Sequence, residues 1–248
     1  MNTLNSIKKS LGLMALGLVV VLAQGCATGP NANPADPMEP LNRAVFNFND
    51  EVDRAILQPV ATAYDQVTPS PVKTGVRNFF GNIADVWSVV NNLLQFKLKK
   101  SLETAMRVGV NSTFGFAGVL DIATEMRLAK NKQDFGQTLG VWGFDTGPYV
   151  VLPLFGPSSV RDTIGRVVDG SADLVNNSRN VPTRNSLATL RVVDKRAELL
   201  GATNILDQAA LDKYSFTRDL YLQRRTGLTD KDTAVKEERF DLPAPPAK

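Results

Sequence analysis

Histidine is absent from the chain, and cysteine occurs once, at Cys26. The first absence removes the commonest general base and the commonest metal ligand, so a Ser-His-Asp triad cannot be built. The second rules out an intrachain disulfide and a multi-thiolate metal centre. No phosphate-loop pattern and no Gly-x-Gly-x-x-Gly after a strand occurs either. Crossing a bilayer takes about 20 apolar residues; the run from Leu11 to Ala23 has 13. Carboxylate-pair hydrolysis stays formally open, because Asp121, Asp134, Asp145 and Asp162 share one central stretch. Capping and surface roles suit them better, and no enzymatic activity is expected.

What is present begins with a leader. Lys8 and Lys9 give residues 1–25 a positive start, Leu11 to Ala23 an apolar middle, and Leu22-Ala23-Gln24-Gly25-Cys26 small residues near a cut. The pattern resembles the bacterial lipobox, in which the cysteine sulfur takes a diacylglycerol and the new amino terminus a further acyl chain. An ordinary secretory leader with a chance cysteine is the alternative. Two acyl chains already anchor a protein stably, so three on Cys26 would make attachment effectively permanent. The diacylglycerol and acyl chain on Cys26 are the only attached groups expected; no cofactor is. An acylated thiol is also lost as a nucleophile.

Residue 27 is alanine rather than aspartate. By resemblance to Gram-negative sorting signals, this directs the chain to the outer membrane, facing the periplasm. Removing Lys8 and Lys9 with the leader lowers the net charge from +3 by two. With export, that disfavours nucleic acid as a partner. The cluster Lys97, Lys99 and Lys100 reads either as compensation of a helix C-terminus or as a contact for anionic headgroups.

Pro30, Pro34, Pro37 and Pro40 among small polar residues make 26–40 a tether from the lipid. Residues 227–248 carry nine charged side chains and end Leu-Pro-Ala-Pro-Pro-Ala-Lys, a composition that cannot build a core. The folded body is then 41–226, a single domain, and its dominant period is helical. Leu41, Val45, Phe48, Val52 and Ile56 form one stripe, expected to end at Pro59. Val76, Phe79, Phe80, Ile83, Val86, Trp87, Val90, Leu93 and Leu94 form the strongest, opposite Asn78, Asn82, Asp85, Ser88, Asn92 and Gln95. The expectation is a core-facing helix with a solvated back, although the nearly uncharged polar face also suits protein packing or a wet passage. Gly109, Gly115 and Gly118 predict a bend or close backbone approach within 108–120. The proline-interrupted segment 147–157 predicts a buried extended connection, with Ser158 capping a helix from about Ser159. Further helices are expected at 187–200, 204–212 and 215–225. The class is all-α.

These segments, in this order, resemble the MlaA/VacJ family of outer-membrane lipoproteins. The likeness rests on Asp36-Pro37-Met38-Glu39-Pro40-Leu41-Asn42-Arg43, Phe46-Asn47-Phe48-Asn49, Asn78-Phe79-Phe80-Gly81-Asn82, Asn92-Leu93-Leu94-Gln95 and Asn111-Ser112-Thr113-Phe114-Gly115. It continues through Asp134-Phe135-Gly136-Gln137-Thr138-Leu139-Gly140, Gly147-Pro148-Tyr149, Gly156-Pro157-Ser158, Arg161-Asp162, Val193-Asp194-Lys195-Arg196-Ala197 and Phe216 to Arg225. Two departures are local. Phe96 stands where family members usually carry a small residue, and Arg127-Leu128-Ala129 replace a glycine-proline turn.

The resemblance implies a flat, ring-like, single-domain helical fold embedded in the inner leaflet of the outer membrane, around a central amphipathic channel. It implies removal of mislocalised phospholipid from the outer leaflet and delivery to a soluble periplasmic lipid carrier, with an outer-membrane porin trimer as membrane partner. Phe46, Asn47, Phe48, Asn49, Gly109, Gly115 and Gly118 are the candidate channel or gate residues. A tethered envelope scaffold that associates with porins and transports nothing is the alternative.

Overall fold

A computed structural model describes residues 33–229. The leader, Cys26, most of the tether and the tail beyond 229 lie outside the described residues. The fold begins before residue 41: Asp36 is fully buried, and α1 runs Glu39–Val52 with Pro40 in its first turn, where a missing N–H costs nothing.

Pro59 does not end this helix. Asp53–Leu57 widens into a π turn, in which the Gln58 N–H reaches back to the Asp53 carbonyl, and α2 continues over Gln58–Val67. The wider turn moves the carbonyl that the Pro59 ring would otherwise strike. Next, α3 (Ser70–Leu94) and α4 (Leu98–Thr113) pair as an antiparallel hairpin, tied by Ser101 Oγ to the Val89 carbonyl at 2.9 Å and by Asn82 Nδ2 to Ser112 Oγ at 3.0 Å. The lysine cluster therefore lies between the end of α3 and the first turn of α4, with Lys97 at the N-cap of α4.

Asp121 caps the short α5 (Ile122–Glu125), and Asp134 caps α6 (Phe135–Val141). The 147–157 segment is a β-hairpin rather than a plain extended connection. β1 (Tyr149–Leu152) and β2 (Gly156–Ser159) are antiparallel, with Tyr149 opposite Ser159 and Leu152 opposite Gly156. Pro153 falls in its turn, and Pro157 in a two-stranded sheet leaves no inner strand short of a donor. Ser159, one residue after the expected cap, caps α7 (Val160–Ala172). The chain closes with α8 (Val181–Glu198), α9 (Leu200–Ala209) and α10 (Lys213–Thr229). The fold is helical throughout apart from that hairpin.

The interior reverses the usual polarity. Seven apolar residues are buried among the described residues, against twenty polar or charged ones. On α3 the buried residues are Gly75, Asn82, Asp85, Ser88, Asn91 and Asn92, while Val72, Val86, Val90 and Leu93 are exposed. The expected orientation of this helix is thus reversed: its amides are the buried face, and of its apolar stripe Val86, Val90 and Leu93 are exposed and the rest half-buried. None of the described helices is long and apolar enough to cross a membrane.

Hydrogen bonds carry the cohesion that apolar packing supplies elsewhere. Thr138 Oγ1 donates to Asn91 Oδ1 at 2.7 Å and accepts from Gln95 Nε2 at 2.9 Å, locking α6 to α3. Asn42 donates to Asp36 and to the Tyr149 carbonyl and accepts from the Val151 N–H, fixing β1 on α1. Arg196 grips both carboxylate oxygens of Asp53 at 2.7 Å, holding α8 against the π turn. A small apolar cluster of Tyr149, Val151 and Tyr214 packs beneath the β-hairpin.

Candidate functional site: an amphipathic cavity

A cavity of about 520 Å³ opens between α3, the irregular run before α6, the end of α7, α8 and α10. That is within the roughly 300–1,000 Å³ of small-molecule sites. Its apolar wall is one face of α3, Ile83, Val86, Trp87 and Val90, completed by Leu174 and Leu228. Its polar wall holds Lys132, Arg191, Arg224 and Arg225 with Asp134, Asp169 and Asp173.

Each of those acids is engaged. Arg225 Nη1 donates to Asp134 Oδ2 at 2.6 Å, and its Nη2 reaches Asp162 Oδ1 at 2.7 Å behind the wall. Burial works against ionisation of Asp134 and Asp162, but the bonds from Arg225 outweigh it and hold both below the usual carboxylate range. Tyr221 also donates to Asp162. A carboxylate held ionised in this way is a poor general acid. Asp169 accepts from the Trp87 indole at 2.6 Å and from the Phe135 N–H at 3.0 Å; burial pushes its carboxyl up. Arg191 pairs with Asp173 at 2.6 Å.

Two glycines let α6 and α7 cross closely enough to place these groups. A Cβ on Gly165 would stand 2.5 Å from the Gly136 nitrogen. A Cβ on Gly136 would meet Asp162 at 2.5 Å and Arg225 at 2.7 Å.

None of the seven candidate channel or gate residues lines this cavity, and they fall in two separate places. In the first, Phe46 packs edge-on against Tyr214 at 5.6 Å, and Asn49 bridges the β-turn, donating to the Leu152 carbonyl and accepting from the Leu154 N–H. Asn47 and Phe48 are exposed beside them. In the second, Gly115 is close-packed, since a Cβ there would lie 2.2 Å from the Leu120 carbonyl oxygen. Gly118 has φ +93° against the Asn82 side chain, whereas Gly109 has open space around it.

The chain has counterparts among known proteins. The MlaA lipoprotein family model matches residues 34–227. The chain belongs to the MlaA lipoprotein family. Curated relatives include the intermembrane phospholipid transport system lipoprotein MlaA of Escherichia coli K12, 34% identical over 220 residues, covering 86% of this chain and 87% of that one. The MlaA of Haemophilus influenzae is 30% identical over 225 residues, covering 87% and 89%. A solved structure reported as the structural basis for maintenance of bacterial outer membrane lipid asymmetry aligns with TM-score 0.69 and 31% identity, over 79% of this chain and 99% of that one.

Membership makes the two departures informative. Phe96 has φ 57° and Arg127 φ 58°, both in the left-handed region that glycine occupies without strain. A glycine at either point would avoid that cost.

Proposed function

We propose that this chain is the outer-membrane lipoprotein of an intermembrane phospholipid transport system. It removes misplaced phospholipid from the outer leaflet and passes it to a soluble periplasmic carrier. The observation that carries this reading is the inverted polarity around an amphipathic cavity: apolar side chains face outward over much of the body, and the cavity offers one apolar and one charged wall. A monomer in water rarely exposes this many large apolar side chains while burying so few. A protein seated in one leaflet, anchored through acyl chains on Cys26, meets lipid there instead.

The energetics call for such a path. Two acyl tails of roughly 30 methylenes in all, at about 0.8 kcal/mol each, would cost on the order of 20 kcal/mol to carry through water. A shielded passage and a direct hand-over remove that cost without chemistry on the lipid, and the reading is non-enzymatic. A porin trimer fits as the membrane partner that seats the ring of helices. Phe46 to Asn49 and the segment from Gly109 to Gly118 act in this reading through the helices they hold, since they do not line the cavity.

The test is the lipid content of the outer leaflet. In cells lacking the protein, an external phospholipase should release more product than in wild type, and the intact gene should restore the low level. An unchanged signal, with porin association intact, would instead support a tethered scaffold that transports nothing.

A further inference from the structure

The cavity wall carries more cation than its acids neutralise. Asp134 is held by Arg225, Asp173 by Arg191, and Asp169 by the Trp87 indole and a backbone N–H. Among the described residues, Lys132 and Arg224 line the same cavity and have no carboxylate within salt-bridge distance. Ile83, Val86 and Val90 line the same cavity. An amphiphile with an anionic head is the ligand this division of charge and apolar surface fits.

We propose that Lys132 and Arg224 form a phosphodiester subsite, in which the phosphate of a phospholipid rests between the two cations while an acyl chain lies along the α3 face. This rests on the lipid-transport reading and deepens it, by assigning one end of the cavity to the headgroup. Guanidinium and ammonium together suit a phosphodiester, whose one negative charge is shared by two non-bridging oxygens that both accept hydrogen bonds. The environment of Lys132 agrees: burial and the neighbouring Lys130 and Lys195 push its ammonium pKa down more than the Asp85 and Glu198 carboxylates raise it, so an arriving anion would relieve a net unfavourable surrounding. Phosphate binding would also explain why Arg191 is partnered while Lys132 and Arg224 are not. Its guanidinium faces Phe80 at 6.0 Å and is committed to Asp173.

The experiment uses the full acylated protein, re-isolated from vesicles of phosphatidylethanolamine and phosphatidylglycerol, with bound lipid read by mass spectrometry. Parallel arms offer diacylglycerol, which lacks the phosphate, and excess inorganic phosphate. Protection of Lys132 from an amine-reactive reagent is the second readout. Neutralising both cations, Lys132→Gln with Arg224→Gln, should reduce retained phospholipid roughly tenfold and leave diacylglycerol unchanged. The charge-keeping pair Lys132→Arg with Arg224→Lys should retain phospholipid. Vesicles should protect Lys132 in wild type, and inorganic phosphate should not.

If inorganic phosphate protects Lys132 as well as vesicles do, the site is one for free anions and the proposal falls. If the neutral variant keeps its phospholipid while a cavity-filling Val86→Trp loses it, the subsite is wrong and the lipid passage stands. If Val86→Trp also keeps wild-type lipid, the cavity is not where lipid sits, and both readings of it fail.

Discussion

Arg107 donates through Nη2 to both carboxylate oxygens of Asp121, each at 2.9 Å, from a position only 1% exposed. This pair ties α4 to the cap of α5. The same guanidinium donates to the Leu128 carbonyl at 2.6 Å and stands 3.9 Å from Asp85 on α3. Removing one partner of a buried pair leaves an uncompensated charge, at about 3–5 kcal/mol. Asp121→Ala should therefore lower the thermal midpoint in detergent sharply. Replacing both residues by apolar ones of similar size, Arg107→Met with Asp121→Leu, should recover much of the loss. Equal destabilisation by the single and double variants would mean that the pair is not the unit holding this corner.

Four buried or half-buried acids, Asp85, Asp134, Asp162 and Asp169, divide into two pairs with opposite pH behaviour. Burial pushes Asp85 and Asp169 up, so above the usual carboxylate range their ionised forms penalise the folded state. As pH falls through their raised values the folded protein takes up protons and that penalty is relieved. Asp134 and Asp162 are depressed; their stabilisation is complete above the unfolded value of about 3.9 and is lost as pH falls below it. The thermal midpoint should rise modestly on acidification from neutral pH toward about 4–5, then drop. Asp85→Asn should raise the midpoint at neutral pH and flatten the rise. A midpoint that declines steadily from neutral pH in wild type would contradict this division.

The glycines of one segment have different duties. Gly109 has open space around it within α4, so Gly109→Ala should stabilise by up to about 1 kcal/mol through helix propensity. A Cβ on Gly115 would overlap two backbone carbonyl oxygens, so Gly115→Ala should cost about 1–3 kcal/mol and Gly115→Leu should fail to accumulate. Protein levels together with melting curves of the three variants separate the outcomes. Normal accumulation of Gly115→Leu would overturn the packing role and restore that glycine as a direct probe of gating.

The helical period, the bend near Gly115 and a capping role for Asp121 and Asp134 were legible in the sequence, because each is local chemistry, whereas the serine cap falls one residue later than Ser158, at Ser159. Asn180 and Pro182 also mark the true start of α8 at Val181, six residues before the apolar period suggests. What the sequence could not yield was which face of α3 points inward. A hydrophobic period reports that two faces differ and is silent on what each meets; in this fold the amides bind one another and the apolar stripe is left outside. The cavity was hidden for another reason. Its walls come from Ile83, Lys132, Asp169, Arg191 and Arg224, which only tertiary contacts bring together. The π turn before Pro59 escaped too, since a proline within a helical period ordinarily signals an end.

Anchoring can be tested apart from folding. Cys26→Ser should abolish palmitate labelling, leave an unprocessed or misplaced chain, and remove function in the outer-leaflet assay. The melting behaviour of the purified body should remain close to wild type, because the hydrogen bonds and ion pairs that hold the described fold lie within residues 33–229. Persistent palmitate incorporation would refute the attachment site.

The two tryptophans report on the two lipid-facing surfaces this reading requires. Trp142 is 47% exposed; its indole donates to the Leu94 carbonyl at 3.0 Å and its ring meets Phe135 edge-on at 5.9 Å, so its position is fixed. An amphipathic ring with its N–H satisfied suits the level of lipid headgroups. Trp87 lies in the cavity wall with its indole bound to Asp169. In vesicles with bromine-labelled acyl chains, Trp87→Phe, which keeps Trp142, should show strong fluorescence quenching through contact with the surrounding leaflet. Trp142→Phe, which keeps Trp87, should be quenched only when lipid enters the cavity, and the added substitution Val86→Trp is unsuitable here because it introduces a third fluorophore. Val86→Leu is the quieter control. If iodide in the water quenches Trp142 as strongly in vesicles as in solution while bromine does not, the outward apolar surface faces water or protein, and seating in the leaflet is wrong.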